Sequence, residues 1–229
     1  MTAPPAAPRT RPDVVAFDVN ETLLDLAPVA AALVEHGQPA ELLPTVFART
    51  LATGFAGTVS GRTFTFRAAF EASLAQLTEL SAGDRGQVAD AFLELSPHPD
   101  VEPALRLLRE AGVRAVALSH GSPGVAEAGL ARGGVSVLVE QTLTTESIGA
   151  WKPAREAYLW AAGTCGVRPA RLALVAAHSW DVQGAQAAGL TGAFVPRSER
   201  VYAEVFGAPD VQGGSLVEAV EALLALPAA

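Results

Sequence analysis

Asp18 follows the apolar run Val14, Val15, Ala16, Phe17, and a polar turn of Asn20, Glu21 and Thr22 comes next. Four apolar residues without alternation suit a strand buried on both faces. In open parallel sheets, chemistry collects beyond the carboxyl ends of the strands. A carboxylate there stands where a nucleophile is expected. Read alone, it serves equally well as a turn cap.

Three further strand ends carry polar residues. Arg114–Leu118 reads as a strand ending in Ser119-His120-Gly121-Ser122, ahead of a helix that begins near Pro123. Small hydroxyls and backbone N–H groups there make an anion cradle, although Ser122 would also serve as a helix cap. Lys152 precedes a helix over 154–162 that carries Tyr158. A lysine before a helix start opposes the helix dipole, so a carboxylate partner would account for it; read alone it is a surface lysine. Leu172–Ala176 is another apolar strand, ending in Ala177-His178-Ser179-Trp180-Asp181. Arg49, the only Lys or Arg between Asp25 and Arg62, reads alone as part of a solvated helix face.

The elements that must position these residues alternate. Helical patterns cover 28–35, 42–51, 63–80 (Phe66, Ala69, Phe70 and Leu74 on one face) and 88–95, with 54–61 reading as a Gly-rich loop. Ser96-Pro97-His98-Pro99 is loop punctuation. Strand and helix patterns then alternate: a helix over 102–111, strands at 114–118, 135–139, 172–176 and 192–196 (the last core strand), and a closing helix over 216–226. This order predicts an α/β fold with a Rossmann-like, doubly wound parallel sheet and a small helical cap domain inserted after the first strand. The expected division is a disordered tail (1–12), a core (13–27 and 97–229) and a cap (28–96).

The chain has 229 residues, half of them hydrophobic and 17% charged, enough to bury a sizeable core. A formal net charge of −8 argues against nucleic acid or an anionic membrane surface as partner. The single Cys165 excludes an internal disulfide and a cysteine-based zinc cluster. No run suits a signal peptide or a membrane span, so a cytoplasmic protein is expected.

The segments FDVNETLLD, LSHGS, WKPAREAY and VAAHSWD, in this order, resemble the haloacid dehalogenase superfamily, and more narrowly its type II 2-haloacid dehalogenase branch. The likeness extends from Asp13 to Leu226. It implies Asp18 as nucleophile, Thr22 as the residue orienting it, Ser119 as the motif II hydroxyl, Lys152 as the lysine paired with the nucleophile, and Asp181 as the motif IV acid. Within that branch it implies Arg49 as a cap arginine meeting substrate, and Tyr158, Trp180 and Phe66 as pocket residues. A homodimer is implied by the resemblance alone.

Superfamily phosphatases carry a second Asp two residues after the first, to protonate the leaving alcohol; this chain has Asn20. Where they use further motif IV acids to help hold Mg²⁺, it has Ala177 and His178. An amide cannot donate that proton, and a halide needs none. The resemblance therefore implies a metal-independent hydrolytic dehalogenase, without cofactor, converting a small anionic substrate, a 2-haloacid, to a 2-hydroxy acid through an aspartyl ester. The well-known dehalogenases have an aromatic where Asn20 stands, Asn at His120 and His178, and Ser at Ala176. The two histidines would bond halide or position water, or else fill polar gaps. The rival readings are a phosphatase-like hydrolase of the superfamily and a catalytically altered binding protein on the same fold.

Overall fold

β1 (Val14–Phe17) is wholly buried in the middle of a six-stranded sheet and pairs in parallel with a strand on each side. The computed structural model describes residues 9–228. Of the expected disordered tail, residues 1–8 lie outside the described part, whereas 9–12 are tied down. Arg9 pairs with Asp210 at 2.9 Å, and the Arg11 N–H donates to the Pro227 carbonyl at 2.9 Å.

After β1 come β2 (Leu24–Asp25), α1 (Ala27–Glu35), α2 (Leu43–Ser60), α3 (Phe66–Leu77), α4 (Ala82–Asp90) and β3 (Ser96–Pro97). β2 and β3 pair antiparallel and tie together the two passages between the helical segment and the sheet. The chain continues as α5 (Val101–Glu110), β4 (Arg114–Ser119), α6 (Pro123–Arg132), β5 (Gln141–Thr144), α7 (Arg155–Thr164), β6 (Leu172–Ala176), α8 (Ser179–Ala188), β7 (Thr191–Phe194), β8 (Val211–Gln212) and α9 (Leu216–Leu224). The sheet order β5-β4-β1-β6-β7-β8, parallel throughout, is the doubly wound arrangement expected.

Side chains of the central strands alternate between two cores. Val15, Phe17, Ala115, Ala117, Ala173 and Val175 join the core shared with α5, α9 and the helical segment. Val14, Ala16, Val116, Leu118, Leu172 and Leu174 join the core under α7 and α8. Both faces are covered, which explains the uninterrupted apolar runs.

Four local expectations are corrected. Residues 54–61 are not a loop: α2 continues to Ser60 because two glycines serve close packing. A Cβ on Gly54 would stand 2.1 Å from the Trp151 ring, and one on Gly57 2.5 Å from Phe64. The strand expected at 135–139 is a 3₁₀ turn, and the edge strand is the polar run Gln141–Thr144. β8 lies beyond β7, so β7 is not the last strand; two residues are too few to show a period. The helix expected over 88–95 starts earlier, where Ser81 Oγ accepts from the Asp84 N–H at 3.1 Å, and gives way after Asp90 to a 3₁₀ turn.

Candidate active site

Register brings the motif residues together. Phe17 stands abreast of Ala117 on one side and Val175 on the other, so Asp18 emerges between the ends of β4 and β6. Its own N–H is held by the Val175 carbonyl at 3.0 Å. Its carboxylate is almost fully buried, 6% exposed, and each oxygen is held differently.

Asp18 Oδ1 accepts from Lys152 Nζ at 2.8 Å. The ammonium also donates to Asp181 Oδ2 at 2.6 Å and to the Leu118 carbonyl at 3.0 Å, so its three hydrogens are all used. Lys152 is wholly buried; it is not a surface lysine, and carboxylates offset its place before α7. Tyr158, expected to touch substrate, is instead fully buried and donates to Asp181 Oδ1 at 2.6 Å. Gly184 makes room for it, since a Cβ there would fall 2.5 Å from the Tyr158 hydroxyl.

Asp18 Oδ2 faces two donors. Thr22 Oγ1 lies 2.7 Å away and itself accepts from the Ala177 N–H at 2.9 Å, which directs the hydroxyl hydrogen at Asp18. The other is His178 Nδ1 at 3.1 Å, whose Nε2 is 2.8 Å from Glu21 Oε2. Ionised carboxylates only accept, so both ring nitrogens donate and the ring is an imidazolium.

The electrostatics follow. Burial alone would raise the Asp18 carboxyl, but the Lys152 charge and the His178 hydrogen bond and charge outweigh it and hold the group well below the carboxylate range. Burial lowers Lys152, and the charges of Asp18 and Asp181 more than restore it. Burial also lowers His178, yet its bonds to Asp18 and Glu21 carry it up to about 10. Asp181 is pushed up, by burial first and then by the charge of Asp18. Of the two carboxylates sharing Lys152, Asp18 is held below its ordinary value and Asp181 above it.

Ser119 Oγ accepts from the Gly121 N–H at 3.0 Å, which leaves its hydrogen free to donate. Ser122 stands at the N-cap of α6 but its side chain makes no capping bond. His120 Nε2 and Asn20 Oδ1 are buried without a hydrogen-bond partner among the described residues. Burial, and then the Lys152 charge, push His120 well below its ordinary value, so that ring is neutral.

The two histidines meet on Trp180, His120 at 5.7 Å and His178 at 5.3 Å between ring centres. Trp151 lies 4.7 Å from His120, and Phe66 stacks on Trp151 at 5.9 Å. Two openings flank this wall. One groove of about 400 Å³ is lined by Glu21, Phe47, Phe55, His178 and Trp180. The other, of about 260 Å³, is lined by Asn20, Phe66, Phe70, Phe92 and Ser122.

Arg49 is not brought to this site. It lies exposed on α2 and donates to Gln76 Oε1 at 3.2 Å. The buried stripe of α2 is Val46, Phe47, Thr50, Leu51 and Gly54, which turns Arg49 outward. Sequence reasoning missed Glu21, Phe47 and Trp151. Trp151 adjoins Lys152 and was open to suspicion on that ground; Glu21 and Phe47 carried no signal.

A buried carboxylate at the end of the first strand of a doubly wound sheet, paired to a lysine that a second acid supports, is an arrangement suited to nucleophilic catalysis by an aspartate. Residues 12–189 match the model of the haloacid dehalogenase-like hydrolases, and the chain belongs to that family. It is 27% identical over 214 residues to an (S)-2-haloacid dehalogenase of Pseudomonas sp. strain YL, covering 90% of this chain and 92% of that one. It is 29% identical over 220 residues to (S)-2-haloacid dehalogenase 1 of Pseudomonas sp. strain CBS-3, covering 92% and 96%. Among solved structures, the L-2-haloacid dehalogenase RSc1362 superposes with a TM-score of 0.85 at 26% identity, covering 94% of this chain and all of that one. The fold is also that of the L-2-haloacid dehalogenase from Xanthobacter autotrophicus with chloropropionic acid covalently bound, with a TM-score of 0.81 at 22% identity and coverage of 92% and 97%.

Proposed function

We propose that this protein is a hydrolytic 2-haloacid dehalogenase in which Asp18 displaces halide from C2 of a short 2-haloalkanoic acid. One observation carries the assignment of roles. Among the described residues Asp18 Oδ1 has Lys152 as its only partner, keeping a lone pair free, while the residue two places on is an amide. Lys152 keeps the nucleophile ionised, because a cation within a few ångströms lowers a carboxyl by about 1–3 units.

Attack in line on C2 forms the ester bond through Oδ1 and expels halide with the electron pair of the broken bond. Water then adds to the Asp18 carbonyl carbon and the 2-hydroxy acid leaves, with inversion at C2. Asp181, positioned by Tyr158, holds Lys152. Ser119 Oγ–H and the N–H groups before α6 take the substrate carboxylate. Asn20 and the neutral His120 line the same space, where His120, in the tautomer with its proton on Nε2, would donate to the anion or halide, and Asn20 Oδ1 would accept from the hydrolytic water. Trp180 and Phe66 belong to the wall that keeps bulk water off, with residues 28–96 as the cap.

The test is halide release from a panel of 2-haloacids with EDTA present. Release is expected to persist in EDTA and to vanish in Asp18→Asn. No release from any member would refute the assignment. Mg²⁺-dependent release of phosphate from simple esters would favour the phosphatase-like reading.

A further inference from the structure

Glu21 is the one non-glycine among the described residues with a left-handed backbone, at φ +64°. Side chains other than Gly, Asn and Asp seldom adopt that region, and where they do the surroundings compel it, often at a functional site. Here the compulsion is visible. The Glu21 N–H donates to the Leu24 carbonyl at 2.9 Å, and His98 Nε2 lies 3.0 Å from the Glu21 carbonyl, which makes that nitrogen the donor. The turn so fixed directs the Glu21 carboxylate onto His178 Nε2, and the opposite ring nitrogen onto Asp18 Oδ2. Phe47 and Trp180 stack on the His178 ring at 6.0 and 5.3 Å.

We infer that Glu21 and His178 form a relay that stabilises the oxyanion of the ester-hydrolysis step, with His178 as a catalytic residue and Glu21 as its positioning residue. The inference rests on the dehalogenase reading above. With Oδ1 in the ester bond, Oδ2 is the carbonyl oxygen. Water adds to the carbonyl carbon, the carbonyl π pair moves onto Oδ2, and the water proton passes to solvent in the groove lined by Glu21 and His178. Collapse restores the carbonyl and breaks the bond between the Asp18 carboxyl carbon and Oδ1; the hydroxy acid departs carrying the former Oδ1, the water oxygen completes the Asp18 carboxylate, and the departing alkoxide takes a proton from solvent. The donors to Oδ2, Thr22 Oγ1–H and His178 Nδ1–H, are already in place, and they bond a full oxyanion more strongly than a neutral carbonyl. Glu21 keeps the second ring proton on His178 once esterification has removed the charge of Asp18.

Glu21→Gly separates this role from a structural one. Glycine suits φ +64°, so the variant keeps the turn while removing the carboxylate, and the relief of backbone strain offsets part of the lost ion pair with His178; its melting temperature checks that the fold is retained. His178→Ala is the companion variant and removes the ring donor to Oδ2 outright. In rapid-quench experiments with a 2-haloacid the wild type turns over, on the reading above. Both variants are expected to release one halide per active site in a burst and then to slow, by about 10²–10³-fold for His178→Ala. The ester should accumulate, seen as the added acyl mass on intact protein. Glu21→Gly should slow less at acid pH than at alkaline pH. Steady turnover at the wild-type rate in both variants would overturn the inference while leaving the dehalogenase reading intact. So would a slowed burst without accumulated ester. A wild type that releases no halide would refute the underlying reading, and this inference with it.

Discussion

Replacing Lys152 with methionine keeps the shape of the side chain and removes its charge. Asp18 and Asp181 would then sit buried with no ammonium between them, where the native distances are 2.8 and 2.6 Å. Breaking a buried pair by removing one partner costs about 3–5 kcal/mol. In a domain of this size about 2–4 °C of melting temperature goes with each kcal/mol, so Lys152→Met should melt about 6–20 °C lower at neutral pH. The pH dependence is more diagnostic than the loss itself. In the native protein Asp18 is held below its ordinary value of 3.8, so its contribution is present above that value and is lost only as pH falls through the folded value. In the variant, burial and mutual repulsion raise both carboxyls. A raised group contributes fully below the unfolded value and loses that contribution as pH rises through the folded one. Lys152→Met should therefore lose stability between about pH 4 and pH 8, where the Asp18 contribution of the wild type is flat. Urea unfolding at several pH values reads the slope, and Lys152→Met/Asp181→Asn, with one charge fewer, should recover part of the stability but no halide release. A single variant that melts with the wild type and shows no such slope would refute the buried ion pair.

Two more outcomes follow from packing. Gly54→Ala places a methyl 2.1 Å from the Trp151 ring and should cost about 1–3 kcal/mol by overpacking, with a changed tryptophan emission; Gly163→Ala in α7, where nothing lies within 4 Å, should be neutral or stabilising. Urea midpoints compare the two. Arg49→Ala removes an exposed bond to Gln76 and should change kcat/KM by less than about two-fold, as exposed polar contacts are worth little. A large loss in KM would show that α2 turns Arg49 inward when substrate binds.

The sheet was legible because its central strands are buried on both faces and read as apolar runs, each followed within a few residues by polar chemistry. Asp18, Ser119 and Asp181 could be found for that reason: short spacing along the chain fixes them to strand ends, and parallel register then sets the ends abreast, whereas Lys152, well beyond β5 and just ahead of α7, was reached through the resemblance. The edges were less legible. β5 is polar and β8 has two residues, so neither carries the apolar run that marked the centre. In α2, glycines that permit contact with Trp151 and Phe64 look from the sequence like glycines that break a helix. The misreading cut the helix short, although Arg49 itself was read from the residues as part of a solvated helix face, and only the resemblance aimed it at substrate.

Glu21 shows a different limit. Its residue type in a polar turn suggests only solvation, and the backbone angle that aims it at His178 is set by partners at Leu24 and His98. Those partners are spatial, one of them far along the chain. The protonation of His178 is equally spatial, because it requires acceptors on both ring nitrogens at once. Motif positions thus locate a nucleophile and its lysine, whereas the groups that answer charge as it develops are assembled by turns whose geometry the residue types alone leave open.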